Sequence, residues 1–297
     1  MRDLLRSRQT QTNIYGYLLL LPSLIFLVLF TFYPLARTMY NSLFYNKISL
    51  PNPEFAGLGN FRSLWDNEVF WKVMRNTFIF VAGTVPISIA IALMMALFVN
   101  KAFRGSGILR TLFFYPTVLP TIAAANIWLF IYTPNYGLLN MVLEKIGLSS
   151  FNWLGDPSTA LLSTMIMMIW KEAGYLMVFY LAGLQNIPKD MYEAAEVDGG
   201  KPSYVFFKIT FPLLMPSTLF ILIISTTHGF RMVDHLPIMT GGGPNNASNL
   251  LLYYIYETAF SSWNTGLAAA LTLILAVILL LFASFQFFGL DKKIHYN

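Results

Sequence analysis

Long apolar runs decide what this chain can become. Six are visible, at about Tyr15–Ala36, Phe78–Val99, Thr111–Tyr132, Ala160–Gly183, Leu214–Met239 and Gly266–Gly289. Each is close to the roughly 20 residues an α-helix needs to cross the hydrocarbon of a bilayer. Lipid offers the backbone no hydrogen bonds, so such a run must close its own bonds as a helix. A buried core helix would account for one run. It does not account for six in a chain with 11% charged residues, where a soluble domain carries about 25%. The pattern predicts an all-α integral membrane protein with six transmembrane helices.

Composition narrows the function. The mean hydropathy is +0.59. There is no cysteine, which excludes disulfides, thiolate metal sites and cysteine nucleophiles. The three histidines show no ligand spacing, so no metal site is expected. The net charge of +5 comes from basic residues scattered through loops, without the aromatic-interleaved patch of a nucleic-acid binder. The first apolar run follows Arg2, Arg6 and Arg8 and is longer than a signal peptide's core, with no small-residue cleavage pattern after it.

Basic residues also orient the spans. With the N-terminus inside, eleven lie on the inner side: Arg2, Arg6, Arg8, Lys101, Arg104, Arg110, Lys189, Lys201, Lys208, Lys292 and Lys293. Six lie outside: Arg37, Lys47, Arg62, Lys72, Arg75 and Lys145. Lys171 and Arg231 fall within spans. This bias predicts both termini in the cytosol. The outer segment at 40–77 carries turn residues Pro51, Pro53, Gly57 and Gly59, then Trp65, Phe70 and Trp71, which suit a helix lying at the interface. Residues 240–265 open with the turn run Gly241-Gly242-Gly243-Pro244-Asn245-Asn246.

Between the fourth and fifth runs lies a polar stretch too long for a turn. Pro188 can open a helix, and Asp190 and Glu193 favour its positive end. Ala194 and Ala195 are strong helix formers that let another surface approach closely. Gly199-Gly200 ends the helix, Pro202 starts another, and Val205, Phe206 and Ile209 give that one an apolar stripe. The charge bias places this hairpin in the cytosol. Gly200-Lys201 is not a phosphate loop: the position five before Gly200 is Ala195, and Pro202 follows the lysine.

The spacing of Glu193, Ala194, Ala195, Gly199, Ile209 and Pro212 resembles the Glu-Ala-Ala motif of ABC importer permeases. Phe211 stands where that family usually has Leu, and Gly200 where many of its members have Ala. The likeness extends along the chain through Gly57-Leu58-Gly59-Asn60-Phe61, Gly137-Leu138-Leu139-Asn140, Gly183-Leu184-Gln185-Asn186-Ile187-Pro188 and the block from Asp234 to Thr240-Gly241-Gly242-Gly243-Pro244, with Val233 replacing Phe. These blocks are similar to those of carbohydrate-uptake permeases of the maltose and glycerol-phosphate type.

The resemblance implies a cytosolic N-terminal segment over 1–13 and a single permease domain over 14–297, in a bacterial inner membrane. It implies that segment 188–212 couples to a separate ATPase subunit through Glu193, Ala194, Ala195, Asp198, Gly199, Ile209 and Pro212. Two such subunits would bind ATP and Mg, and this chain no cofactor. A second homologous permease and an extracytoplasmic solute-binding protein would complete the assembly, with Gly241–Pro244 among the candidate contacts for the binding protein.

Ionisable groups inside spans are costly and usually face a cavity or a partner. Met168, Glu172 and Tyr175 share one helix face, and Ser225, His228, Gly229 and Met232 another. In maltose-type relatives these two spans line the substrate pocket, so these seven residues are the candidate pathway. Lys171 is one position from Glu172 and so faces a different helix. Arg231 and Asp234 are i, i+3 and either pair with each other or meet substrate. Tyr175, Ser225 and Glu172 suit a neutral sugar or polyol, while Lys171, His228 and Arg231 leave glycerol phosphate open. An ion-gradient-driven transporter is the rival class, without visible inverted repeats. A Ser225–His228 hydrolase pair lacks an oxyanion motif.

Overall fold

The computed structural model describes residues 2–47, 52–101 and 104–290, with side chains described from Tyr15 to Gly289 outside the two gaps. Pro51, Lys292 and Lys293 lie outside the described residues, as do the side chains of Arg2, Arg6 and Arg8. In chain order the helices are α1 (Arg2–Leu27), α2 (Tyr33–Ser42), α3 (Gly59–Trp65), α4 (Glu68–Val99), α5 (Ser106–Val118), α6 (Thr121–Tyr132), α7 (Leu138–Lys145), α8 (Ala160–Gln185), α9 (Lys189–Val197), α10 (Pro202–Val205), α11 (Phe211–Leu213), α12 (Met215–Arg231), α13 (Leu236–Met239), α14 (Leu251–Tyr256) and α15 (Thr265–Ser284). Short π-helical stretches lie at Val28–Phe32, Phe206–Thr210, Glu257–Ser261 and Phe285–Leu290. A two-stranded antiparallel ribbon pairs β1 (Phe44–Tyr45) with β2 (Glu54–Phe55), Phe44 opposite Phe55.

Among the described residues, four helices are long and apolar enough to cross a membrane: Tyr15–Ser42, Glu68–Val99, Ala160–Gln185 and Thr265–Gly289. The total reaches six if each of two bent pairs counts as one span. The expected third span, Thr111–Tyr132, is one of these pairs: α5 and α6 meet at a 98° bend. Pro120 supplies no N–H to carry the helix onward, and Leu119 is extended at φ −68° and ψ 132°. The expected fifth span is also interrupted. α12 ends at Arg231, where Met232 turns extended, and short α13 follows. Trp71 and Phe70 do not lie on a separate surface helix. Asn67 accepts a 2.8 Å hydrogen bond from the Val69 N–H and so caps α4, which carries both aromatics.

The chain divides into two compact units. The first comprises the described residues up to Asp66 together with Glu257–Ile274. Here Asn60 explains one of the sequence blocks: its amide donates to the carbonyls of Ser42 and Phe44 at 2.8 and 2.9 Å, pinning α3 to the end of α2 and to β1.

The second unit comprises Asn67–Tyr256 and the described residues from Leu275. α8 runs against α4, α5 and α12 within it. Among the described residues its core includes two clusters of buried side chains. One gathers Phe80, Tyr132, Met167, Met168 and Leu236; the other gathers Ala92, Leu176, Tyr180, Leu214 and Ile221. Small residues let the backbones meet, as they do in membrane bundles. A Cβ on Gly174 of α8 would overlap the Phe113 carbonyl of α5. Asn140 is 1% exposed and fully satisfied: it donates to Pro134 and Phe151 and accepts from Phe151 and Trp153.

Candidate functional site

α4, α8 and α12 enclose a cavity in the second unit of about 20 Å³, room for roughly one water. Met168 and Glu172 reach it from α8, and Ser225, Gly229 and Met232 from α12 and its end. These five of the seven candidate pathway residues therefore come together. The other two stand beside Glu172. His228 Nδ1 is 3.5 Å from Glu172 Oε2, and the Tyr175 and His228 rings stack at 5.8 Å. Among the described residues both buried atoms face only each other, too loosely for hydrogen-bond geometry. Buried polar atoms are normally satisfied, so this pair is open to a ligand. The Ser225 hydroxyl donates to the Leu222 carbonyl at 3.4 Å within its own helix, which gives a Ser–His nucleophile no support.

The third wall came from α4, whose apolar run over 78–99 has no ionisable group to mark it. Phe80, Thr84, Val85 and Ser88 of α4 line the same cavity. The sequence did hold a signal, because Thr77, Thr84 and Ser88 follow i, i+7, i+11 spacing on one helix face.

Neither Lys171 nor the Arg231–Asp234 couple forms an ion pair among the described residues. Lys171 is buried, and its ammonium donates to the Leu119 carbonyl at 2.6 Å, with the Pro116 and Thr117 carbonyls at 3.4 and 3.5 Å. It makes no carboxylate contact among the described residues and is directed to the α5–α6 bend. Arg231 and Asp234 are exposed and form no ion pair with each other among the described residues. The reason is the end of α12 at Arg231: beyond it the backbone is extended, so i, i+3 residues no longer share a face. Also among the described residues, no group of three or more His, Asp or Glu side chains could hold a metal ion.

The polar hairpin consists of α9, a turn, and α10 continuing through the π-helical stretch into α11. α9 closes with reciprocal bonds from the Gly200 N–H to the Ala195 carbonyl at 2.8 Å and from the Gly199 N–H to the Glu196 carbonyl at 3.0 Å. That closure needs a left-handed residue, and Gly199 supplies it at φ +70°. A Cβ on Gly200 would stand 2.8 Å from the Ala195 carbonyl oxygen, so glycine also suits that position here. Glu193, Ala194, Asp198 and Gly199 are exposed, as is Pro212, and Ile209 is half-buried. Ala195 differs from the expectation of a contact residue. It is 8% exposed and packs inside the hairpin. Met191, Val197, Tyr204 and Phe207 add an exposed apolar surface that the motif alone did not single out.

The outer turn run is held by α4. Lys72 Nζ donates to the Asn245 carbonyl at 2.6 Å, and Asn76 donates to the carbonyls of Asn246 and Asn249 at 2.8 and 3.2 Å. Ser248 donates to Thr240 Oγ1 and the Gly243 carbonyl.

Long apolar helices, two bent pairs and a small cavity between three helices define a polytopic membrane protein. The chain belongs to the family described as binding-protein-dependent transport system inner membrane component, which matches residues 88–294. It is 34% identical over 286 residues to the sn-glycerol-3-phosphate transport system permease protein UgpA of Agrobacterium fabrum, covering 96% of this chain and 97% of that one. It is 34% identical over 270 residues to the trehalose/maltose transport system permease protein MalF of Thermococcus litoralis, covering 90% of each. It is 35% identical over 259 residues to the sulfoquinovosyl glycerol transport system permease protein SmoG of Agrobacterium fabrum, covering 87% of this chain and 84% of that one. In fold it is similar to a bacterial ABC transporter that imports the acidic polysaccharide alginate, with a TM-score of 0.83 over 98% of this chain and 99% of that one, at 22% identity.

Proposed function

We propose that this chain is the translocating permease subunit of an ATP-driven ABC importer for a neutral sugar or polyol. The observation that carries the substrate class is the open Glu172 carboxylate in the cavity, with the nearest lysine directed away from it. A carboxylate accepts hydrogen bonds from sugar hydroxyls but repels a phosphate. The aromatic face of Tyr175 and the hydroxyls of Thr84, Ser88 and Ser225 suit the same ligand. The volume argues for alternating access. A cavity near 20 Å³ holds no sugar, so cargo binds only once α4, α8 and α12 rearrange or open toward the second permease chain.

In this reading hairpin 188–212 faces the cytosol and docks on a separate ATPase subunit through Glu193, Ala194, Asp198 and Gly199. Both termini are cytosolic. Two ATPase subunits bind ATP and Mg, and a second permease chain shares the pathway. A solute-binding protein delivers cargo on the outer side. A structure similar in fold, with a TM-score of 0.82, is described as an alginate transporter in complex with its alginate pentasaccharide-bound periplasmic protein.

A phosphorylated polyol is the second reading, favoured by the likeness to the glycerol-phosphate permease and by His228 beside the cavity. Uptake of a labelled neutral disaccharide and of labelled glycerol phosphate by the reconstituted complex separates the two. Uptake of the phosphate ester alone overturns the neutral assignment.

A further inference from the structure

The most deeply buried charge of α8 has no place in that pathway. Lys171 is 7% exposed, and the hydrogen bonds of its ammonium among the described residues go to α5 and the bend that follows it. A helix end leaves its last carbonyls without donors, and in hydrocarbon they must find partners inside the protein. The requirement is acute at this bend. The donor that would serve the Pro116 carbonyl belongs to residue 120, which is proline. An ammonium has three donors and suits the negative end of a helix. The exchange is mutual, because the Thr117 hydroxyl donates to the carbonyl of Lys171 at 3.3 Å. Three residues further along α8, Gly174 lies directly against the Phe113 carbonyl. The residue next to this clamp is Glu172, which lines the cavity.

We propose that Lys171 is a positioning residue for translocation: its ammonium caps the C-terminal carbonyls of α5, fixes the bend into α6, and so holds α8 where Glu172 meets the cavity. The effect on transport rests on the reading of Glu172 as a substrate contact; the effect on the bend does not.

The chain has no cysteine, so two cysteines introduced into it take all the label when it is labelled before assembly with its partners. Leu112 of α5 and Ile122 of α6 are 60% and 55% exposed and flank the bend. Spin labels there, in the assembled complex in nanodiscs, measure the bend by pulsed dipolar spectroscopy. The wild type and Lys171→Arg give one narrow distance distribution. Lys171→Met, which keeps length and loses the donors, broadens or shifts it, and raises KM for the sugar about tenfold, the low end of losing one hydrogen bond to a charged group. Lys171→Arg restores most of the KM. Thr117→Val removes only the reciprocal bond and shifts both readouts less, which keeps the test decisive if Lys171→Met does not assemble. An unchanged distribution in Lys171→Met, or in Thr117→Val where that variant stands in, overturns the proposal, as does Lys171→Arg behaving like Lys171→Met. Selective loss of a phosphorylated substrate with the bend intact overturns it too, and makes Lys171 a substrate cation. A shifted bend with wild-type KM leaves the cap standing and refutes Glu172 as a pathway residue.

Discussion

Replacing Glu172 tests the site and the cargo together. Its Oε2 is buried without a hydrogen bond among the described residues, and His228 Nδ1 is 3.5 Å away. A sugar hydroxyl donating to it would form a hydrogen bond to a charged group, worth about 1.5–3 kcal/mol in net terms. Glu172→Ala removes that bond, so KM for a neutral sugar rises about 10- to 150-fold, at roughly 1.4 kcal/mol per tenfold. Glu172→Gln keeps an acceptor but loses the charge, which is about half the bond's strength. Its KM rises only about 3- to 10-fold. The sign reverses for a phosphorylated substrate. A carboxylate and a phosphate about 4 Å apart repel by roughly 4 kcal/mol per charge pair at a protein-surface dielectric, so both variants take up glycerol phosphate better than the wild type does. The assay is uptake into proteoliposomes containing the whole complex, with saturation curves for both cargoes. Wild-type KM for the neutral sugar in Glu172→Ala would refute the reasoning, and so would impaired glycerol phosphate uptake in Glu172→Gln.

The hairpin gives a paired test. Ala194 is exposed and Ala195 is 8% exposed, so Ala194→Leu leaves the chain folded but unable to co-purify with its ATPase, while Ala195→Leu overpacks the hairpin by about 1–3 kcal/mol and speeds its proteolysis. Equal protease resistance in the two variants would contradict this. Gly174→Val forces α8 off the Phe113 carbonyl, at about 1–3 kcal/mol, and lowers the thermal midpoint in detergent; an unchanged midpoint counts against the close approach. Asn76→Ala removes the donors to the Asn246 and Asn249 carbonyls, at about 1–3 kcal/mol, and hydrogen exchange over 240–251 accelerates while exchange in α8 does not.

The long helices were legible because lipid sets their length and composition together, and α4 and α8 leave little freedom in either. The bend between α5 and α6 was not, although Pro116 and Pro120 were in view. Apolar residues continue across it, and composition carries no direction. Asn67 shows the same limit on a smaller scale: its cap gives Phe70 and Trp71 to α4 rather than to a surface helix. In the site, α8 and α12 announced themselves through ionisable residues in apolar runs. The α4 wall did not, because Thr84 and Ser88 are ordinary in a span and only their shared face distinguishes them. Lys171 was legible only as facing another helix, with no partner to name. Neighbours in sequence do not face each other on a helix, so its partners had to come from elsewhere, and they were backbone carbonyls that sequence does not display. The motif marked the hairpin, yet burial alone separates Ala194 from Ala195.

The central claim is that this chain translocates and a separate motor drives it. Its most direct test is sugar uptake into proteoliposomes holding this chain, its partner permease and the ATPase subunits, with the binding protein on the outer side. The expected result is uptake that requires ATP inside, stops when the ATPase subunits are omitted, and persists when ion gradients are collapsed. Uptake by the permease chains alone, driven by an ion gradient without ATP, would contradict it.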